Sequence, residues 1–390
     1  MDLRQQRLRV LCAGIFSLLL TLGLARFAYT PLLPLMQAQV GLGVAAAGWL
    51  AAINYTGYLA GALLASLISD PALKLRLYRL GLLAALLSTW LMGLTTDVGW
   101  WALSRFVAGL GSAAGMLLGT GLILNWLIRH DLRGELGIHF SGIGLSIAGC
   151  ALVVGLCSLW LDWRMQWFVL GALGVLLLIP ALRWMPAPAT VGSSGGAALA
   201  DQPPGRLFFT LLLVAYFCAG IGYVVSATFI VAIVEALPGL AGQGTWVFLV
   251  VGLAAAPGCI FWDLLARRTG TLNALILAAL LHIAGILLPL WGGLGAALAG
   301  AALFGLTFVG MVSLVLSMAG RFYPSQPARM MGRMTLAYGV AQIIAPALTG
   351  WLALRLGSYD AGLYLAAAAM LLASGLLLIL RRLPPAAPAR

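Results

Sequence analysis

The sequence predicts an all-α membrane protein: twelve transmembrane helices in two pseudo-symmetric six-helix bundles, with both termini cytoplasmic. Three observations predict it. First, 63% of the 390 residues are hydrophobic and 8% are charged, with a mean hydropathy of +1.05. A soluble domain needs ~25–35% charged residues over its surface, which this composition cannot supply. Second, the apolar runs are ~20–30 residues long and do not alternate, so they read as helices crossing a bilayer rather than barrel strands. Third, the cations are sorted. Eighteen of the 22 Lys and Arg, from Arg4, Arg7 and Arg9 to Arg381, Arg382 and Arg390, fall at the termini and one set of connections; two fall at the other set and two within spans. That is the positive-inside pattern, so the net charge of +12 reports topology rather than a nucleic-acid partner.

Charged, Gly and Pro punctuation places the spans near 8–36, 43–69, 77–96, 98–128, 136–160, 164–183, 207–234, 243–266, 272–291, 294–320, 329–355 and 359–380. Span 1 begins like a signal peptide, with Gly23-Leu24-Ala25 after a basic start, but the apolar pattern continues through Pro34 and recurs along the chain, so the reading is an uncleaved span. It carries GLARFAYTPLLP at 23–34. Arg26, Tyr29 and Thr30 are spaced i, i+3, i+4 and share a helix face. Pro31 and Pro34 lack the N–H donor, which frees the carbonyls of Phe27 and Thr30. Spans 2, 4 and 5 bring Asn54, Tyr58, Arg105, Ser112, Asn125, His139 and Ser141; spans 7, 10 and 11 bring Tyr216, Tyr223, Thr228, Thr307, Tyr338 and Gln342. Spans 3, 6, 9 and 12 are nearly pure Leu, Ala, Gly and Ile, apart from His282 in span 9. The expectation is that the polar spans line a water-filled cavity and the apolar four face lipid. Trp100, Trp101, Trp160 and Trp163 lie at outer span ends, as interface anchors do.

The domains expected are an N-terminal bundle (1–185), a flexible cytoplasmic linker rich in Pro, Gly and Ser (186–205), and a C-terminal bundle (206–390). The halves share glycines and a tryptophan at an offset of 195 to 197: Gly23 with Gly220, Trp49 with Trp246, Gly61 with Gly258, Gly144 with Gly339, and Gly155 with Gly350. Together they indicate a duplicated six-helix unit, as in many transporters.

With twelve spans, a mid-chain linker and related halves, the chain resembles a major facilitator superfamily (MFS) transporter over nearly its whole length. The most specific match is Arg105-Phe-Val-Ala-Gly109-Leu-Gly111, which resembles the fourth-helix arginine motif; Asp162-Trp163-Arg164 and Ala345-Pro346 with Gly350-Trp351 are also similar to the family's. Residues 23–34, with Asn54-Tyr-Thr-Gly-Tyr58 and His139-Phe-Ser-Gly-Ile-Gly144, resemble the YbfB/YjiJ-type branch. The cytoplasmic Asp-Arg-x-Gly-Arg pattern is not legible. After span 2, Asp70 is followed by Pro71; in the second half Ala266-Arg-Arg-Thr-Gly270 has Arg267 where the acid belongs; Asp70, Asp263 and Arg268 are the gate candidates.

A guanidinium at membrane depth costs ~2.5–3.5 kcal/mol on insertion scales, so Arg26 must face something polar. One reading is an anion site built on Arg26 with Tyr29, Asn54, Tyr58, Arg105, Tyr223, Tyr338 and Gln342; the other is that each arginine bonds free carbonyls. Position favours the anion for Arg26 and the carbonyls for Arg105. His139, four residues after Glu135, is a proton-coupling candidate or a satisfied polar contact; His282 reads as a contact to a neighbouring helix. No Asp or Glu lies deep in a span. The five cysteines are scattered, and no catalytic motif is legible, so no metal, cofactor or enzymatic activity is expected. The reading is a monomeric secondary transporter in the bacterial inner membrane, moving a small organic anion by alternating access, with protons as a possible coupling ion. The alternative is a proton-coupled exporter of amphipathic compounds, and more distantly a receptor or scaffold.

Overall fold

The computed structural model describes residues 2–68, 70–130, 132, 137–187, 203–322 and 327–383. Among these, twelve helices are long and apolar enough to cross a membrane: α1 (Leu3–Val40), α2 (Val44–Leu67), α3 (Pro71–Leu94), α4 (Val98–Leu127), α5 (Ile138–Cys157), α6 (Trp163–Arg183), α7 (Arg206–Ala236), α8 (Gly244–Thr269), α9 (Thr271–Trp291), α10 (Leu294–Ala319), α11 (Met330–Leu356) and α12 (Asp360–Leu380). None of the described residues is in a strand. An even number of spans brings both ends of the chain to one face of the bundle; the opposite face is called distal here.

Two helix starts differ from expectation for local reasons. α3 begins at Pro71 rather than 77, because Asp70 caps it, accepting from the Ala72 and Leu73 amides at 2.9 and 3.3 Å, and Pro71 needs no partner in the first turn. Lys74 and Arg76 interrupt the apolar pattern without ending the helix. α1 is longer than 8–36 and changes register inside. It is α-helical over Leu3–Leu18, widens to a π-helix over Leu19–Phe27, and returns to α over Tyr29–Val40. The irregularity expected around the prolines thus starts well upstream, closing with the Ala28 amide on the Gly23 carbonyl at 2.9 Å.

Burial corrects the division into inner and outer helices. In their most apolar stretch α1, α4, α7 and α10 are the most enclosed, at 67, 61, 89 and 61% buried, while α2, α5 and α11 (33, 50 and 44%) are no more enclosed than the four apolar helices. The reason is that these three, with α8, pack one face between the halves and turn the other outward. Trp101 and Trp163 are corrected too. Both are buried and meet edge to face at 5.7 Å, whereas Trp100 and Trp160 are exposed as anchors are.

The duplication recurs as equivalent contacts between glycines and their neighbours. Within the halves, Gly23 abuts Ser146 as Gly220 abuts Ala341, Gly61 meets Leu110 as Gly258 meets Leu306, and Gly109 lies on the Asn54 carbonyl as Gly305 lies on that of Val251. Between the halves, Gly155 packs on Thr245 as Gly350 packs on Gly48, and Gly144 on Ala256 as Gly339 on Leu59. A Cβ at Gly109 would run into the α2 backbone, so glycine is what lets α2 and α4 touch.

Candidate functional site

The close approach of α2 and α4 brings Arg105 beside α1. Its Nη1 donates to the Ala25 carbonyl at 2.9 Å and its Nη2 to that of Arg26 at 3.3 Å, while the guanidinium lies 4.6 Å over the Tyr29 ring. Both carbonyls lie at the end of the π stretch, where the helix returns to α register. Asn54 completes the brace by donating to the Arg105 carbonyl at 2.8 Å. Tyr29 donates to the Ala47 carbonyl at 3.0 Å, so its hydroxyl is also spent on backbone.

Arg26 is placed differently. It is 7% exposed, and its guanidinium carbon lies 4.4 Å from the Tyr55 ring centre and 4.7 Å from that of Tyr58. Its Nε has no hydrogen-bond partner in the structure. Arg26 and Arg105 are the only charged side chains buried among the described residues. A cleft of about 280 Å³ at the distal end includes Tyr359 and Asp360, and Arg26 does not line it.

The C-terminal half meets this group with aromatic rings. Tyr338 stacks on Tyr216 at 4.6 Å and on Tyr223 at 5.9 Å, and Tyr223 stacks on Phe308 at 5.0 Å. Tyr55 approaches both the Arg26 guanidinium and Tyr223, joining the halves. Gln342 is buried on α11, the helix that carries Tyr338.

A family model described as "Uncharacterised MFS-type transporter YbfB" matches residues 18–378. The chain belongs to that family. Members of this kind are transporters, not enzymes, and the YbfB-type chain is accordingly a multi-pass membrane transporter whose substrate is a small molecule. It is similar to the uncharacterised MFS-type transporter YceJ of Bacillus subtilis, at 27% identity over 68% of this chain and 69% of that one. It is also similar to the uncharacterised transporter YebQ of Escherichia coli, at 28% identity over 36% of this chain and 31% of that one. Among solved structures, the nucleoside transporter NupG superposes with a TM-score of 0.73 at 13% identity, covering 98% of this chain and all of NupG; a single-residue variant of NupG matches equally well. That likeness establishes the fold.

The remaining sequence candidates of the YbfB-type chain fall away from Arg26. His139 is fully buried, with Nε2 2.9 Å from the Thr120 hydroxyl and Nδ1 without a partner. It packs against Gly14, twelve residues before Arg26 and so roughly 18 Å along α1. Glu135 lies outside the described residues. Asp70 serves as the α3 cap. Asp263 pairs with Arg267 at 2.7 Å on the exposed end of α8, and Arg268 is exposed beside them. His282 does contact a neighbouring helix, with Nδ1 2.7 Å from the Thr307 hydroxyl, and it stacks on Phe304. Sequence reading missed Tyr55, Phe304 and Phe308. Their signal is spacing: Tyr55 and Tyr58 are i, i+3, and Phe304 and Phe308 are i, i+4, each pair on one helix face.

Proposed function

We propose that this transporter carries a small organic anion, such as a carboxylate, across the bacterial inner membrane by alternating access, with Arg26 as the anchor. One observation carries the reading: Arg26 is a buried cation with neither a carboxylate nor a carbonyl on its Nε. Two aromatic faces return ~2 kcal/mol or somewhat more when desolvated, against a cost of ~2.5–3.5 kcal/mol for the charge at depth. Leaving a charged donor unmade adds a further penalty of at least ~1–3 kcal/mol. A carboxylate on the guanidinium fork removes that penalty and neutralises the site.

The halves 1–185 and 206–390 rock about this site in the proposed cycle, with the face carrying both termini cytoplasmic and residues 186–205 as the tether. Hydrogen bonds link the halves on the distal side of Arg26. Thr30 donates to the Ala227 carbonyl at 2.8 Å, and Gln37 reaches the Tyr359 hydroxyl at 3.5 Å. These contacts, with Gly48 against Gly350, must part for the distal face to open. The test is uptake of small carboxylates into proteoliposomes. Arg26→Ala should abolish saturable uptake while the variant still elutes as a folded species; undiminished uptake would remove Arg26 from the mechanism.

A further inference from the structure

We propose that the anion is a planar aromatic monocarboxylate, with its carboxylate on Arg26 and its ring laid against the Tyr223 and Tyr338 stack. This rests on the reading that Arg26 anchors an anion.

The argument begins with the duplication. Thr30 and Ala227, 197 residues apart, are hydrogen-bonded to each other, so α1 and α7 meet at equivalent positions across the pseudo-twofold axis. At the same offset Arg26 corresponds to Tyr223. One side of the axis therefore carries a charge where the other carries an aromatic ring. A ligand spanning the axis meets a cation at one end and π faces at the other, and a conjugated carboxylate has that polarity.

The aromatic cluster has a consistent orientation. Tyr216 with Tyr338, Tyr223 with Tyr338, Tyr223 with Phe308, Phe304 with Phe308, and Tyr223 with Phe304 lie at interplanar angles of 27, 27, 30, 26 and 6°. Aromatic pairs in cores pack edge to face as readily as they stack. Five near-parallel pairs over five residues make a cluster of similarly inclined faces, which a flat ring would join by offset stacking.

Charge count sets the valence. Arg105 is committed to the carbonyls of Ala25 and Arg26, whereas Arg26 keeps an unpartnered Nε to offer a ligand. No acid is buried among the described residues. One carboxylate balances the site. A second would enter without a partner, at the steep cost of an uncompensated charge in a low-dielectric interior.

Equilibrium binding of radiolabelled benzoate to the purified full chain, with three competitors, tests this. Cyclohexanecarboxylate keeps the charge and approximate size but has no π face, terephthalate adds a second carboxylate, and benzamide keeps the ring without the charge. Benzoate should outbind cyclohexanecarboxylate and terephthalate by about fivefold and benzamide by about tenfold or more. Tyr223→Leu and Tyr338→Leu should bring benzoate down to the cyclohexanecarboxylate level, while Tyr338→Phe keeps the preference, which separates stacking from a folding defect. Equal binding of benzoate and cyclohexanecarboxylate overturns the aromatic assignment, and equal binding of terephthalate overturns the single charge; both leave the anion reading intact. Benzamide matching benzoate, or no saturable binding of any carboxylate, overturns the anion reading and this inference with it.

Discussion

Arg26 and Arg105 are close neighbours in the core with different fates, and the difference lies in what their donors meet. Arg105 finds two main-chain carbonyls and an aromatic face; Arg26 finds rings and leaves its Nε unmatched. Replacing Arg105 by Met should therefore cost stability, by about 1–3 kcal/mol for carbonyls left unpaired, and thermal melts in detergent would register it. Its effect on carboxylate affinity should be small if it acts only as a brace. Arg26→Lys tests the complementary point. A lysine keeps the charge without the planar fork, so binding should weaken by about tenfold or more with little change in melting temperature.

Among the elements, α1 stands out because its register changes where Arg26 sits. Residues in an α-helix turn by about 100° each, so the extra residue held by the π stretch sets which way Arg26 and Tyr29 point relative to Leu3–Leu18. Deleting one residue between 19 and 22 would let the segment relax to α-helix and swing the guanidinium off the Tyr55 and Tyr58 rings. Such a variant should insert and fold, yet lose carboxylate uptake; retained uptake would show that the π register is incidental. The contact of α2 with α4 is the second element-level feature. Gly109→Val places a branched side chain against the Asn54 carbonyl and should destabilise by about 1–3 kcal/mol or more through overpacking, read as a lowered melting temperature.

At the scale of the whole molecule, the equivalent glycine contacts show two copies of one unit packed through α2 with α11 and α5 with α8. Alternating access needs the distal part of that interface to open. A Thr30→Cys, Ala227→Cys pair, made after replacing the native Cys12, Cys150, Cys157, Cys218 and Cys259, should arrest uptake when cross-linked with a short bifunctional thiol reagent and recover it on cleavage. Uptake that continues through a verified cross-link would refute rocking at this face.

The sequence by itself determined the membrane class, the twelve spans, the duplication and the superfamily, because apolar run length, charge sorting and glycine spacing are local or periodic properties of the chain. It also singled out Arg26, since a cation in an apolar run is conspicuous without any structure. It placed the brace of Asn54 and Tyr29 in the ligand site, and overlooked Tyr55, Phe304 and Phe308, because an aromatic residue in a membrane helix looks the same whether it faces lipid, core or ligand. Only the tertiary structure decided which arginine is satisfied by backbone, which helices are enclosed, and that the position of Arg26 is answered across the axis by a tyrosine. Those are questions of which groups meet between helices far apart in the chain, and hydropathy along one helix carries no record of its neighbour.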